Sequence, residues 1–269
     1  VEGVTARFVE AGHILGSSAI VLEVEESEER KRLWFSGDIG RYKLPLLRDP
    51  VLPQDADILL MECTYGNRQH DDPEQAYQKF RDIVKRTIQR GGNVVVPAFA
   101  VGRTQEIVYS LNRMISEGEL PPMPVYVDSP LAINATEIFR KYPHYLDDET
   151  HEFVRTGKHP ALTFPGLSYT HSVEESKAIN YSETPSVIIA ASGMCEAGRI
   201  LHHLVHNIED ERNTICIVSW QAPHTLGRRL VEKQPIVKIF GEEVPLKAEV
   251  ATINGLSAHA GQDMLVKYA

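Results

Sequence analysis

From residue 72 to residue 232 the chain alternates short apolar runs with amphipathic ones, a pattern that few folds admit. Asp72-Pro73-Glu74 starts a helix with proline at its first position, and Ala76, Phe80, Ile83, Val84 and Ile88 form one apolar face before Gly91-Gly92 stops it. Residues 93–97 then read as a buried strand. Helices are expected at 104–115, 131–141, 173–181, 197–208 and 226–232, and strands at 124–127, 186–191 and 214–219. Strands spaced by helices predict a mainly parallel α/β sheet flanked by helices.

On either side the pattern becomes that of plain β-sheet. Residues 5–10, 19–25 and 32–36 alternate as strands, with a charged turn at 25–31, and 57–62 is a short apolar run that ends on Glu62. Residues 236–253 alternate again. The long irregular stretch 142–170 is expected to be an excursion or lid. This organisation predicts a first segment at 1–70, an inserted α/β domain at 71–245 and a return to the first domain at 246–269.

Charge and cysteine usage limit the partners. With 28 basic and 37 acidic residues the net charge is −9, so contact with nucleic acid needs a local basic groove. Cys63, Cys195 and Cys216 are too few and too scattered for a disulfide framework or a four-thiolate zinc site. They read as reduced thiols, which places the expectation in the cytoplasm. No apolar run approaches the roughly 18 residues of a membrane span, so no membrane partner is expected. The sequence opens at Val1 without an initiator methionine and ends a few residues into a new helix, so both ends are expected to be internal to a longer chain.

In an open parallel sheet, ligands bind beyond the carboxyl ends of the strands. Here those ends carry Phe99-Ala100-Val101-Gly102-Arg103-Thr104, Asp128-Ser129-Pro130, Ser192-Gly193-Met194 and Ser219-Trp220-Gln221. Arg103, Arg199, Arg228 and Arg229 lie on or just inside the following helices and are expected to concentrate positive charge at that crest. An anion site follows, with Arg103, Ser129, Ser192, Gly193, Arg228 and Arg229 as candidate substrate contacts. Turn-forming glycine and serine and solvated arginines are the simpler explanation for any one cluster. Four clusters on one edge favour a site.

The first sheet ends its strands differently. Ala11-Gly12-His13 and Ser36-Gly37-Asp38 each place a metal-competent side chain where a strand gives way to glycine, and Glu62 closes a third strand. Such a His, Asp and Glu set can hold a divalent metal and activate water, although two ligands are fewer than zinc requires. His202 and His206 have helical i, i+4 spacing but no catalytic glutamate between them. They are read as helix-face residues, one of them partly buried. Cys195 and Cys216 are read as core thiols, and His224 as a helix-start residue that caps or faces substrate.

Taken in order, Ala11-Gly12-His13-Ile14-Leu15-Gly16-Ser17, Ser36-Gly37-Asp38-Ile39-Gly40, Glu62-Cys63-Thr64-Tyr65-Gly66 and Ser257-Ala258-His259 resemble the motifs of the metallo-β-lactamase superfamily, β-CASP branch. Pro97 through Glu106, Asp128-Ser129-Pro130-Leu131-Ala132, Ala191-Ser192-Gly193-Met194 and Thr225-Leu226-Gly227-Arg228-Arg229 resemble its connecting segments. The likeness covers essentially the whole chain and is nearest to RNA-processing members such as the cleavage-and-polyadenylation endonuclease subunit and its prokaryotic relatives.

The resemblance implies part of an αββα sandwich carrying an inserted β-CASP domain, with RNA in a cleft between them. It implies zinc-dependent hydrolysis of RNA phosphodiester bonds. His13 then matches a zinc ligand, Asp38 an aspartate bridging two zinc ions, and Glu62 an acid that orients a zinc-ligating histidine. His259 matches a histidine that protonates the leaving oxygen. The implied partner is single-stranded RNA, and a homodimer is compatible with the likeness. Nothing here resembles the family's His-x-His-x-Asp-His motif, and its last histidine would fall past Ala269. Two-zinc activity is therefore expected of the intact protein, with this chain inactive alone. The alternatives are a non-catalytic RNA-binding or scaffold subunit and, less favoured, a small-molecule ester or thioester hydrolase.

Overall fold

The computed structural model describes residues 2–26, 29–157 and 159–269. Residues 27 and 28 of the expected charged turn lie outside the described residues. Strands β1 (Val4–Glu10), β2 (Ser18–Glu26), β3 (Glu29–Phe35) and β4 (Ile58–Leu60) come first, followed by α1 (Pro73–Gln89), β5 (Val94–Pro97), α2 (Arg103–Ser116), β6 (Val125–Asp128) and α3 (Pro130–Lys141). Then come α4 (Asp148–Thr156), β7 (Leu167–Tyr169), α5 (Val173–Asn180), β8 (Val187–Ala190), α6 (Ile200–Asn207) and β9 (Thr214–Ile217). The chain finishes with α7 (Leu226–Val231), β10 (Ile236–Ile239), β11 (Glu242–Pro245), β12 (Glu249–Thr252) and α8 (Gln262–Tyr268).

Two compact units emerge. The smaller gathers residues 1–70, 142–152 and 257–269, and the larger gathers 71–141 and 153–256. The sequence reading returns the chain to its first domain at 246. In the structure β12 pairs in parallel with β9, which keeps the chain in the larger unit through Leu256. The stretch 142–170 is also more regular than expected, containing α4 and the three-residue β7, which pairs with β6.

In the smaller unit the sheet order is β1-β2-β3-β4, antiparallel except for the parallel β3–β4 pair. The period of two sends Ala19, Val21 and Trp34 to one face, where they pack with Ile39, Ala260, Met264, Leu265 and Tyr268. The Trp34 indole N–H donates to the Tyr268 hydroxyl at 2.8 Å, which satisfies the polar end of each buried ring. The opposite face is apolar too. Its cross-strand row Phe8, Ile20, Phe35, Leu60 leaves Phe8 70% and Leu60 49% exposed.

The larger unit is a six-stranded, all-parallel sheet in the order β12-β9-β5-β8-β6-β7. β5, β8 and β9 are buried along their whole length, as continuous valine and isoleucine runs require when helices cover both faces. Ile188, Ile200, Leu204, Ile215, Leu226 and Leu230 form part of one continuous core. The start of α1 is capped by the Asp72 carboxylate, which accepts from the Glu74 amide at 2.8 Å.

Candidate metal centre and strand-end crest

β1 and β3 both run antiparallel to β2, and β4 runs parallel to β3, so the carboxyl ends of β1, β3 and β4 share one edge of the smaller sheet. His13, Asp38 and Glu62 follow those three ends. Two glycines let the turns close on one another. A Cβ on Gly40 would lie 1.7 Å from the Gly12 carbonyl oxygen, and the Gly40 amide donates to the Ala11 carbonyl at 2.7 Å. Gly12 itself has φ +66°, a conformation that favours glycine.

His259 arrives from the other end of the sequence. Residue 40 bridges residue 259, and the Ala260 amide donates to the Ile39 carbonyl at 2.8 Å, pinning the Ser257-Ala258-His259 turn against the β3 end. One ligand atom from each of His13, Asp38 and His259 falls within 4.8 Å of the others. The His13 and His259 ring centroids are 4.4 Å apart, and His13 Nε2 lies 3.9 Å from Asp38.

Glu62 sits behind His259. Its two carboxylate oxygens lie 3.1 and 3.2 Å from His259 Nδ1, and it also accepts from the Ile39 amide at 2.5 Å and the Thr64 amide at 3.3 Å. Burial alone would raise the Glu62 carboxyl, but the hydrogen bonds from His259, Thr64 and Ile39 outweigh it and bring it to about 2. The same Glu62 hydrogen bond raises His259, against the opposing effect of burial. Burial, followed by the charge of His259, lowers His13. The environment thus favours an anionic Glu62, a readily protonated His259 and a neutral His13.

This donor set fits a zinc ion. Neutral imidazole and carboxylate are its usual ligands, and three protein ligands with one open position are the pattern of catalytic zinc. His13 Nδ1 is buried with no hydrogen-bond partner, so that nitrogen is not committed to a competing contact, while the ring also hydrogen-bonds the Ala258 backbone. With His259 Nδ1 held by Glu62, its Nε2 is the nitrogen left for ligation or proton transfer. Sequence reading gives His259 only the proton-donor part; no local spacing could reveal that the fold brings it to His13 and Asp38.

At the crest of the larger sheet most of the expected substrate contacts already have partners within the chain. Arg103 is 6% exposed and pairs with Glu106 one turn along α2. Arg199 pairs with Asp128 at 2.5 Å and Arg228 with Glu232 at 2.7 Å. Of the four arginines, Arg229 alone forms no ion pair among the described residues; it donates to the His224 carbonyl at 3.4 Å. The Ser129 hydroxyl is buried and accepts from the Ala132 amide at 3.3 Å, at the start of α3. Half-buried Ser192 accepts from the Glu196 amide at 3.2 Å. Gly193 is buried, and its carbonyl accepts from the Gln221 side chain at 2.9 Å.

Among the helix histidines, His202 and His206 are exposed and His203 is fully buried, contrary to the expectation that one of the first pair is covered. His203 lies 2.7 Å from the buried Asp128 carboxylate, which also accepts from Ser176 at 2.5 Å. Cys195 and Cys216 are core thiols as expected, and burial pushes each up to about 12. His224 is exposed with φ +71°, just before the Thr225 cap of α7.

Residues 104–230 match the family model of the Beta-Casp domain. The chain is 40% identical over 262 residues to ribonuclease TTHA0252 of Thermus thermophilus, covering 97% of this chain and 59% of that protein. It is 31% identical over 274 residues to an RNase J-like protein of Methanocaldococcus jannaschii, covering 99% of this chain and 61% of that protein. To the transcription termination factor FttA of Methanosarcina mazei it is 32% identical over 271 residues, covering 97% and 42%. The chain therefore spans about three fifths or less of the length of these relatives. Among the described residues no helix is long and apolar enough to cross a membrane.

Proposed function

The chain carries a Beta-Casp domain, and from that premise we propose that the intact protein is a zinc-dependent ribonuclease acting on single-stranded RNA. The carrying observation is that one ligand atom each of His13, Asp38 and His259 lies within 4.8 Å of the others at one sheet edge, with Glu62 bonded behind His259. The ribonuclease name of the Thermus thermophilus relative supports the substrate class.

Each residue then has a part. His13 and Asp38 would hold the metal, and the neutral state favoured for His13 suits a ligand. Zinc bound there would supply Lewis-acid activation of water and of the phosphoryl oxygens. Glu62 fixes the orientation of His259 and keeps its Nδ1 protonated, so that Nε2 can ligate or pass a proton to the leaving oxygen. Asp38, with its side chain 61% exposed, is the group of the set most open to substrate. The three donors suffice for one ion, and among the described residues they are the one cluster of this kind.

The test is cleavage of a labelled single-stranded RNA by the intact protein. Asp38→Ala and His259→Ala should each lower the rate by at least about a hundredfold, the scale of losing one preorganised transition-state contact. Undiminished turnover in both variants rejects the reading. Tight RNA binding by the wild type with no cleavage under zinc would instead favour a non-catalytic RNA-binding subunit.

A further inference from the structure

At the crest of the larger sheet two large aromatic side chains remain outside the core. Phe99, just beyond β5, is 44% exposed, and Trp220, just beyond β9, is 45% exposed. β5 and β9 are neighbours, and β8 lies on the other side of β5. The loop after β8 supplies Gly193, which joins the two aromatics. A Cβ on Gly193 would meet the Phe99 ring at 3.1 and 3.2 Å, so the ring lies directly on that backbone. On the other side, the Gly193 carbonyl accepts from Gln221 at 2.9 Å and from the Ser219 hydroxyl at 3.5 Å, the residues on either side of Trp220.

The backbones that carry the rings are fixed. Phe99 O accepts from the Thr104 hydroxyl at 2.8 Å and from its amide at 3.2 Å. The Gln221 side chain is itself buried and also donates to the Ser219 carbonyl at 3.1 Å. Two planar apolar surfaces are thus held toward solvent at the carboxyl ends of adjacent parallel strands, the place where open α/β sheets bind ligands. The loop that carries Trp220 runs on into α7, where Arg229 retains its charge without a carboxylate partner among the described residues. Exposed aromatic faces together with basic side chains are the combination that binds single-stranded nucleic acid without regard to sequence.

We propose that Phe99 and Trp220, set on either side of Gly193, form a stacking shelf for the bases of single-stranded RNA. The proposal rests on the ribonuclease reading and adds to it the groups that grip the bases. Stacking uses the π-face common to all bases, so the shelf tolerates any sequence. Gly193 acts as a spacer that lets Phe99 lie flat, and it need not touch RNA.

The experiment measures binding of a labelled oligoriboadenylate, and of an abasic oligoribonucleotide of the same length, to the intact protein with a chelator present to prevent cutting. Phe99→Ala and Trp220→Ala should each weaken oligoriboadenylate binding about 5- to 150-fold. Phe99→Tyr and Trp220→Phe, which keep a ring, should stay near wild type. The abasic oligonucleotide should bind all five proteins equally, and the salt dependence should be unchanged because no phosphate contact is removed. Equal oligoriboadenylate binding by the alanine variants overturns the shelf and leaves the ribonuclease reading intact. The same loss on the abasic probe also overturns it, since the contact is then not to bases. Failure of the wild type to bind either probe overturns both.

Discussion

Gly40 illustrates how much of the candidate metal centre depends on the absence of single atoms. Its Cβ position is 1.7 Å from the Gly12 carbonyl, a backbone atom that cannot rotate away. Gly40→Ala should therefore destabilise the smaller unit by more than the roughly 1–3 kcal/mol of ordinary overpacking, read as a fall in the urea midpoint together with loss of retained zinc. A midpoint and zinc content equal to wild type would show that the two turns do not need this approach. Glu62→Gln makes a different demand. It keeps the shape but removes the charge that raises His259, so zinc affinity or RNA cleavage should fall about 10- to 100-fold, and the unfolding midpoint should fall too, because the hydrogen bonds that hold the Glu62 carboxyl at about 2 favour the folded state. His13 and Asp38 are legible in the sequence where strands give way to glycine, and Glu62 as the end of an apolar strand, whereas His259 is marked only by its resemblance to a family motif. Their meeting is not legible, since it depends on residue 40 bridging residue 259.

The elements of the larger unit are tied together by one buried carboxylate. Asp128 at the end of β6 bonds Ser176 on α5, His203 on α6 and Arg199 at the start of α6, and His203 also touches Asn180 on α5 at 2.8 Å. Burial raises this carboxyl, but the bonds from His203, Ser176 and Arg199 outweigh it and hold it below its usual range. A group depressed in the folded state stabilises above its unfolded pKa of about 3.9 and loses that contribution as pH falls through the folded value. Asp128→Asn should cost about 3–5 kcal/mol near neutrality, the scale of breaking a buried ion pair, and the difference from wild type should shrink below about pH 4. A difference that is constant from pH 7 to pH 3 would contradict this. The sequence reading chose the wrong ring of α6, His202 or His206, although the buried positions Ile200, His203, Leu204 and Asn207 are the i, i+3, i+4, i+7 face of a helix. The alternation of strand and helix was legible because each run exceeds one period. β7 was not, because three residues cannot display alternation, and β12 reads as sheet without disclosing that its partner is β9.

At the scale of the whole molecule, the smaller sheet has two apolar faces, and α8 with its neighbours covers one of them. The other exposes Phe8, Ile20, Ile58 and Leu60 on strands of the one sheet, a clustered apolar patch of the kind that marks contact with further protein. Residues 1–269 produced alone should bind a hydrophobic dye strongly and self-associate, and Phe8→Ser with Leu60→Thr should reduce both; a chain that stays monomeric and dye-free would argue against this. The relatives are longer than the chain, and the three donors at the sheet edge are enough for one ion, so activity has to be measured on the intact protein. The most direct measurement is the rate of single-stranded RNA cleavage by intact protein stripped of metal, before and after zinc is returned. The reading expects activity to vanish with the metal and return with zinc in the wild type, and to remain absent in Asp38→Ala under the same zinc. Cleavage that persists in the metal-free protein, or that zinc restores equally in Asp38→Ala, would contradict it.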